Sequence, residues 1–431
     1  MIKKALQNIC TILAWPPPTA LLKAEINCAG FILMAIYLLI LPIPHTIAIR
    51  HVAFFSLLLL TLWAAWQYRL KFHFPLVWPF FLYAIVALIS VTYAIDPLYS
   101  LGEVKKEIGY GFIALILACT WVRSAKALEY MLVVLIVGSA LMSGYSIINI
   151  IMQKPDLIHA PIQEGSFSGV GVFSTYLITV LPFIVAYIIL IQKENKFRRA
   201  MLSVIVFIEI IALYLTGNRA GMMTITSEVL LALLLFIFYR GLPSIRILLM
   251  GIIIIVSSSI LFVNLMHHRN TFFVPDPTAE KMLVSDDPRL PLWQGTIKNI
   301  YSHPFTGAGF GRESFKLHKS DFLNGYDGYW HAHNMFLNKG SQMGIPGIAA
   351  FVALLMAIVR AMWIPKDKGE VNSPAGMYAL ACIVMLAGVI VKNTTDDFFV
   401  HDSALLFWVL VGAVLGSLSG ERNSIKNKVL A

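Results

Sequence analysis

The feature that most constrains this chain is a succession of apolar segments, each about as long as a bilayer is thick. A transmembrane helix needs about 20 mainly apolar residues. We expect such spans near 26–43, 47–66, 75–94, 107–122, 129–151, 169–191, 201–216, 221–239, 247–265, 344–363, 376–391 and 404–419. Only 13% of the 431 residues are charged and 58% are hydrophobic, whereas soluble domains average about 25% charged residues. The sequence therefore predicts an all-α polytopic membrane protein with about twelve transmembrane helices.

Basic residues predict the orientation of these helices, because Lys and Arg concentrate in short cytoplasmic loops. With a cytoplasmic N-terminus, the short inner segments hold most of the basic residues of the chain. The opposite short loops hold only a few, namely Lys105, Lys106, Lys154, Arg219 and Lys392, with Arg50 near a span end. We therefore expect both termini in the cytoplasm. The N-terminal region lacks a signal-peptide cleavage pattern, so the first span is expected to remain as an anchor.

The predicted spans divide the chain into three parts. Residues 1–265 would carry the first nine spans, residues 266–343 a large loop on the non-cytoplasmic side, and residues 344–431 the last three spans and a cytoplasmic tail. A structureless loop of this length would be unusual, and long loops are often functional. Because it contains Trp293, Trp330 and many Gly and Pro residues, we expect it to fold with short helices, for instance over 289–300.

Two other function classes lose support from the composition. The net charge of +10 could indicate nucleic-acid binding, but basic cytoplasmic loops explain it, and no nucleic-acid module is recognisable. The four cysteines, Cys10, Cys28, Cys119 and Cys382, all lie outside the large loop. We therefore expect neither a disulfide nor a cysteine metal site.

Arg219 is the first candidate site residue. It lies in the turn Thr216–Gly221 between two apolar spans, where Gly217 and Gly221 permit tight backbone. Ionisable groups in membrane proteins are costly and therefore candidates for function. An arginine here can bind a phosphate through paired hydrogen bonds. The alternative is an arginine that extends to lipid headgroups.

Arg289 is the second candidate. Asp286, Asp287 and Pro288 open a predicted helix, and Arg289 lies in its first turn. The helix dipole disfavours a cation at that position, which indicates another role. The alternative is a local ion pair with Asp286 or Asp287.

His331 and His333 are candidate bases, followed by Asn334. A neutral imidazole can accept a proton from a sugar hydroxyl, because its pKa is near neutrality. Residues two apart do not share a helix face, so the two histidines would make a poor metal pair, and no metal site is predicted. The alternative is that they are loop histidines without a role.

Two further segments complete the candidates. Asp396 and Asp397 lie in the last outer loop, where they could orient His333 or neutralise an arginine, although they could equally be ordinary loop acids. The segment Gly165–Gly169 could let a lipid-linked substrate approach, although a plain turn is the simpler interpretation.

The order of these pieces resembles the O-antigen ligase and polymerase superfamily of bacterial inner membranes. The TGNRAG turn precedes the long loop. The loop then carries Arg289, Trp293 and the stretch from His303 to Gly311, which looks like the Pro-x-x-Gly-x-Gly stretch of that family. The His-Asn-x-x-Leu signature follows from His333 to Leu337. Each motif alone is weak, and the resemblance depends on their order and common side.

Within this superfamily the chain is most similar to the O-antigen ligases. The resemblance implies a GT-C-like glycosyltransferase that moves O-antigen from undecaprenyl pyrophosphate to a sugar hydroxyl of lipid A–core oligosaccharide, with inversion and without metal, ATP or other cofactor. It implies that Arg219 and Arg289 bind the pyrophosphate and that His333 is the base, with His331 as the alternative base. Asn334, Asp396 and Asp397 would be possible orienting groups. The large loop would then be periplasmic.

Three alternatives remain. An O-antigen polymerase uses a similar donor with a lipid-linked acceptor, and a protein O-oligosaccharyltransferase belongs to the same superfamily. A polysaccharide flippase or transporter would also have many spans, but it would more often show charges buried in mid-span. Here the polar residues are expected at one outer surface, with nearly apolar mid-spans, which favours catalysis.

Overall fold

The structure, a computed structural model, describes residues 24–43, 45–69, 72, 75–153, 170–191, 195–267, 289–318, 331–364, 370–397, 399 and 401–430. Regular structure in these ranges is helical throughout. The fifteen α-helices in these ranges are α1 (Ala24–Ile40), α2 (Ile47–Tyr68), α3 (Val77–Val91), α4 (Pro97–Glu103), α5 (Tyr110–Trp121), α6 (Ala125–Gln153), α7 (Val170–Leu190), α8 (Lys196–Leu215), α9 (Arg219–Arg240), α10 (Ile245–His267), α11 (Arg289–Ser302), α12 (Arg312–His318), α13 (Met335–Met362), α14 (Pro374–Thr394) and α15 (His401–Leu430).

Every predicted span overlaps one of these helices. Among the described residues, seven helices are long and apolar enough to cross a membrane, namely α2, α6, α7, α9, α13, α14 and α15. Shorter apolar helices lie at Ile26–Ile40, Val77–Val91 and Leu248–Val263. The chain is therefore an all-α polytopic membrane protein, as predicted. The short helix predicted over 289–300 is present as α11.

Two predicted span boundaries differ from the structure. A π-helical turn, Val104–Gly109, joins α4 to α5 and contains the predicted start of the fourth span. The tenth span was expected to begin at Gly344, but α13 begins at Met335 and bends at Gly344, whose φ of 68° is left-handed. A Cβ at position 344 would lie 2.5 Å from the carbonyl oxygen of Pro304. Glycine therefore permits both the bend and the close approach of the preceding loop.

The expectation of nearly apolar mid-spans is wrong. Glu209 in α8 is fully buried, and Glu228 in α9 is 6% exposed. Ser139 donates a hydrogen bond to Glu209 from a neighbouring helix. A single acidic residue hardly changes the hydropathy of an otherwise apolar 20-residue segment, so the averaged pattern did not show them. The argument against a transporter from clean mid-spans accordingly loses its basis.

Helices α9 and α14 run antiparallel, and their contact fixes the height of the candidate residues. The Tyr239 hydroxyl at the end of α9 donates to the carbonyl of Ile364, which precedes α14. Midway along, a Cβ at Gly388 would overlap the carboxyl of Glu228. Arg219 lies nine residues before Glu228 along α9, and Asp397 lies nine residues after Gly388. Arg219 therefore lies at about the height of the acidic segment after α14, which consists of Asp396 and Asp397. We call this end of the bundle the site face.

Candidate active site

The loop that carries the two histidines is held from three sides. Trp293 of α11 donates from Nε1 to the carbonyl of Ala332 over 2.8 Å. Asn338 of α13 accepts from the backbone N–H of Ala332 over 2.7 Å. Beneath the loop, Leu292, Phe315 and Ala332 form a fully buried apolar cluster. Helices α11, α12 and α13 therefore share a small core that fixes the histidine backbone.

The glycine-rich stretch before α12 docks on the bend of α13. Gly309 donates from its backbone N–H to the carbonyl of Gln342, and Ile345 donates to that of Pro304. The φ of 99° at Gly309 is one that favours glycine. These bonds satisfy backbone groups at the bend, and they place Arg312, the first residue of α12, beside the histidine loop.

His331 and His333 pack against each other, with ring centroids 4.1 Å apart. Both residues precede α13, so the helical argument against their pairing does not apply. His333 adopts a left-handed φ of 49°, which is unusual for a residue with a side chain. Its backbone N–H donates to Nδ1 of His331 over 3.1 Å. A neutral His331 therefore carries its proton on Nε2.

His331 is nearly buried, with 9% of its surface exposed. Burial lowers its pKa from 6.5 to about 4, and the nearby charges of Arg312 and His333 act in the same direction. The carboxylates of Asp397 and Asp396 oppose this effect. His331 is therefore neutral at neutral pH, and its one basic nitrogen is occupied by the backbone of His333.

His333 is oriented by Asp396. Its Nδ1 lies 3.2 Å from Oδ1 of Asp396, so it donates to the carboxylate and keeps its lone pair on Nε2. Burial raises the pKa of Asp396, but the hydrogen bond from His333 and the charges of Lys392 and Arg289 together hold it well below its usual range. The Nζ of Lys392 lies 3.6 Å from the other oxygen of Asp396. This arrangement is an anionic carboxylate that fixes an imidazole, as in acid–base dyads.

Asp397 contacts α12 and α13 through its side chain. It accepts a short hydrogen bond from Asn338, and its Oδ2 lies 3.4 Å from Nε of Arg312. Asp397 is 4% exposed, so a buried carboxylate has a cationic partner here, as its burial requires.

Asn334 is a helix cap. Its Oδ1 accepts from the backbone N–H groups of Phe336 and Leu337 at the start of α13. Its Nδ2 donates over 2.8 Å to the carbonyl of Thr394 at the end of α14. Both ends of the amide are thus used within the fold. Asn334 aligns the histidine loop with the acidic segment, while its own polar groups are engaged.

The two predicted arginines begin helices on or near the site face. Arg289 is the first residue of α11, and its charge acts on both Asp396 and Lys392. Arg219 is the first residue of α9 and is half-buried, and Asn218 caps that helix. The structure therefore brings Arg289 to the His333–Asp396 dyad and Arg219 to the same height. Asp286, Asp287 and Gly165–Gly169 lie outside the described residues.

The cluster also has the donor set of a cation site. Ligand atoms of His331, His333 and Asp396 all lie within 4.8 Å of one another, and two nitrogens with one oxygen suit zinc. The surroundings oppose a dication, because Lys392, Arg289 and Arg312 all act on this cluster. The site is more cationic than anionic and is better suited to a phosphate.

Sequence reasoning missed three residues of this site. Arg312 directly follows the glycine-rich stretch from His303 to Gly311, and its position next to that motif could have identified it as a site residue. Asn338 lies one helical turn after Asn334, so it faces the same side. Lys392 is fully buried. In the sequence it directly follows the predicted eleventh span, where a lysine that extends to the membrane surface would give the same pattern.

Comparison with known proteins finds two similarities that include this part of the chain. Residues 201–352 match the O-antigen ligase family. The chain is also similar to the ComP-specific O-oligosaccharyltransferase of Acinetobacter baylyi, with 21% identity over 268 residues. That similarity covers 60% of this chain and 43% of the relative, so the chain spans less than half of the relative's length. Arg219, Arg289, Arg312, both histidines and Asn334 all fall within 201–352. This part of the chain is therefore similar to the O-antigen ligase family, which agrees with the resemblance seen in the sequence.

Proposed function

We propose that the protein is an O-antigen ligase. It would transfer O-antigen polysaccharide from undecaprenyl pyrophosphate to a sugar hydroxyl of lipid A–core oligosaccharide, on the periplasmic side of the bacterial inner membrane. The observation that carries this proposal is the His333–Asp396 dyad beside Arg289, on a face that also carries Arg219. We also propose that the large periplasmic loop begins near residue 266 and ends near residue 343, and that both termini are cytoplasmic.

His333 would act as the general base. Its Nε2 lone pair accepts the proton of the acceptor hydroxyl while that oxygen attacks the anomeric carbon. The bond between the anomeric carbon and the pyrophosphate oxygen breaks, and undecaprenyl pyrophosphate leaves with the bonding electrons. A single displacement of this kind inverts the anomeric centre. Asp396 would stabilise the imidazolium that forms, as an anionic partner does in other histidine dyads.

The cations would stabilise the departing pyrophosphate. Negative charge develops on its oxygens as the bond breaks, and fixed positive groups stabilise that transition state. Arg219 and Arg289 are the proposed phosphate ligands, since a guanidinium binds phosphate in a bidentate way. The additional positive charge of Lys392 and Arg312 supports a reaction in which protein cations take the role that a metal ion often has. We therefore propose that no metal or other cofactor is needed.

His333 is preferred to His331 as the base on geometric grounds. The Nδ1 of His331 accepts the backbone N–H of His333, so its second nitrogen carries the proton. In His333, Nδ1 donates its proton to the carboxylate of Asp396, which leaves Nε2 as the basic nitrogen. His331 would then hold His333 in its left-handed conformation.

A protein O-oligosaccharyltransferase is the second candidate, and the similarity to the Acinetobacter baylyi enzyme favours it. Its donor chemistry would be similar, with a protein hydroxyl as acceptor. An O-antigen polymerase is the third, with a lipid-linked acceptor. The His333–Asp396 dyad fits all three reactions, so the acceptor has to be tested.

The test is the lipopolysaccharide profile of a strain that lacks the gene, complemented with wild type or with His333→Ala. A ligase predicts that the long-glycan ladder disappears, returns only with wild type, and leaves polymer on its lipid carrier. Core capped with one repeat would instead indicate a polymerase. An intact ladder with loss of glycan from a protein acceptor would indicate the oligosaccharyltransferase and contradict the ligase proposal.

A further inference from the structure

An apolar cavity of about 260 Å³ lies between helices of the bundle, outside the candidate active site. It is lined by α7, α8, α9, α10 and α14 and by the segment before α14, and it is partly open, since Val185 and Ile189 in its lining are exposed. One stripe of α9 lines it, with Ile225, Glu228, Ala232, Leu235 and Tyr239 at intervals of three or four residues. For comparison, a dry protein cavity of about 150 Å³ can bind benzene. The space is therefore large enough for a sizeable part of a hydrocarbon chain.

The cavity extends towards the face opposite the candidate site. Arg240, the last residue of α9, lines that end and is exposed. It lies 21 residues after Arg219, which corresponds to about 31 Å along the helix. A guanidinium at the mouth of an apolar cavity, at the level where a helix leaves the membrane, is complementary to a lipid phosphate above a buried chain.

Glu228 lies within one helical turn of the inner end of the cavity, which Ile225 also lines. It lines the space, it is 6% exposed, and its Oε1 has no hydrogen-bond partner among the described residues. A buried carboxyl oxygen without a hydrogen-bond partner is costly, and the protein groups around the cavity supply none for Oε1 of Glu228 among the described residues. We expect water beside the carboxyl, with hydrocarbon between it and Arg240.

We propose that this cavity binds one acyl chain of an anionic phospholipid from the leaflet opposite the candidate site, with its phosphate at Arg240. The distance from Glu228 to Arg240 is twelve residues, or about 18 Å along α9. One leaflet contributes about half of a hydrocarbon core of about 30 Å. The cavity therefore reaches about as deep as one leaflet's chains, and its polar ends match a headgroup and a water.

The position of Arg240 argues against the polyprenyl donor as the occupant. The donor phosphate belongs at Arg219 in the proposed reaction, about 31 Å away on the site face. A lipid whose charge is at Arg240 must enter from the other leaflet. The exclusion of the donor rests on the proposed function, whereas the cavity and Arg240 are on a surface that the transfer reaction does not use.

Lipid retention by the full-length purified protein tests this proposal. The protein is incubated in detergent with phosphatidylglycerol or phosphatidylcholine of the same acyl composition, and bound lipid is measured by native mass spectrometry. We expect preferential retention of phosphatidylglycerol. Arg240→Gln should reduce that retention about fivefold, which is the effect of one basic residue on an anionic lipid. Arg246→Gln is the matched control, because Arg246 lies near the same face but does not line the cavity.

A second pair of variants tests the cavity itself. Ala232→Phe adds bulk at an exposed, cavity-lining position, whereas Leu234→Phe does so on the same helix outside the cavity. We expect only Ala232→Phe to reduce retention. Equal retention of both lipids, an equal effect of Arg246→Gln, or unchanged retention in Ala232→Phe would each overturn the proposal. Displacement of phosphatidylglycerol by undecaprenyl phosphate at equal concentration would assign the cavity to the donor tail instead.

Discussion

His333 and Asp396 form a hydrogen-bonded pair across 3.2 Å, although they are 63 positions apart in the chain and belong to the loops that flank different helices. The carboxylate fixes which nitrogen of the imidazole carries the proton, and the proposed chemistry depends on that choice. The pair therefore connects the loop before α13 to the loop after α14. Its geometry makes several outcomes predictable.

Replacement of the two histidines should have unequal effects. His333→Ala removes the proposed base, and we expect a loss of about 10²–10⁴-fold in transfer rate. His331→Asn keeps an acceptor for the backbone N–H of His333 and should lower the rate far less. Transfer of lipid-linked glycan in membranes, normalised to protein amount, measures both. If His331→Asn is the more damaging variant while well expressed, the roles are reversed.

The charge of Asp396 should matter more than its shape. Asp396→Asn keeps the volume but removes the anion that stabilises imidazolium, so we expect the turnover rate to fall by at least tenfold. The substrate KM should change little, because Asp396 faces His333 and Lys392 within the fold. Glu313→Gln is the control, because it removes a carboxylate from an exposed position at α12. Equal rates for the two variants would refute an orienting role for Asp396.

Arg219 and Arg289 should not tolerate lysine. A lysine keeps the charge but loses the planar pair of donors that fits a phosphate. We expect each Lys variant to lose about 10²-fold in rate and each Ala variant more, in line with the loss of one transition-state donor. Arg360→Lys, near the end of α13 and far from the site face, should be neutral. A fully active Arg219→Lys would indicate a simple charge effect at that position.

Asn334 should contribute mainly to stability. Asn334→Ala removes the cap of α13, which costs about 1 kcal/mol, and it also breaks the bond to the carbonyl of Thr394. We expect a lower thermal unfolding midpoint in detergent and a moderate loss of activity. Asn334→Asp keeps the cap and loses the donor, so it separates the two contributions. An unchanged midpoint in both variants would contradict the capping role.

His331 should make stability depend on pH. Its pKa is lowered to about 4 in the fold by burial, whereas an unfolded histidine titrates near 6.5. The unfolded state therefore binds more protons between these values, so stability should be constant above about pH 6.5 and fall as pH decreases towards 4. The unfolding midpoint of wild type and of His331→Asn, measured from pH 7.5 to 4.5, checks this. The variant should lose less stability, and parallel curves would exclude His331 as the source.

Much of the fold was predictable because the bilayer imposes a length and a composition on every span. All twelve predicted spans fall on helices. Two boundaries were misplaced. Helix α13 begins before Gly344, and its first turns are buried in protein. Hydropathy cannot distinguish such turns from a loop. The π-helical turn before α5 is equally invisible to hydropathy, and it contains Glu107, which forms a salt bridge with the buried Lys339.

The candidate site was predictable in its residue types and less so in its connections. Arg289 and His333 were expected at one site, and Asp396 was one possible orienting group, with an ordinary loop acid as the alternative; in the structure Asp396 contacts His333, and the charge of Arg289 acts on it. The partners of Asp397 were not predictable, because Arg312 reaches it only through the docking of the glycine stretch on the bend of α13. The two histidines were expected to make a poor metal pair because residues two apart do not share a helix face, but both precede α13, and His333 has a left-handed φ of 49°.

The contact between Glu228 and Gly388 has a mechanical consequence for the site face. It lies about 13 Å below Arg219, as nine residues of helix imply. A tilt of α9 by about 5° around that contact would displace Arg219 by roughly 1 Å, and misplacement of this size can cost about 10²-fold in rate. The close approach of α9 and α14 that Gly388 permits therefore constrains the alignment of Arg219 with His333 at the site face.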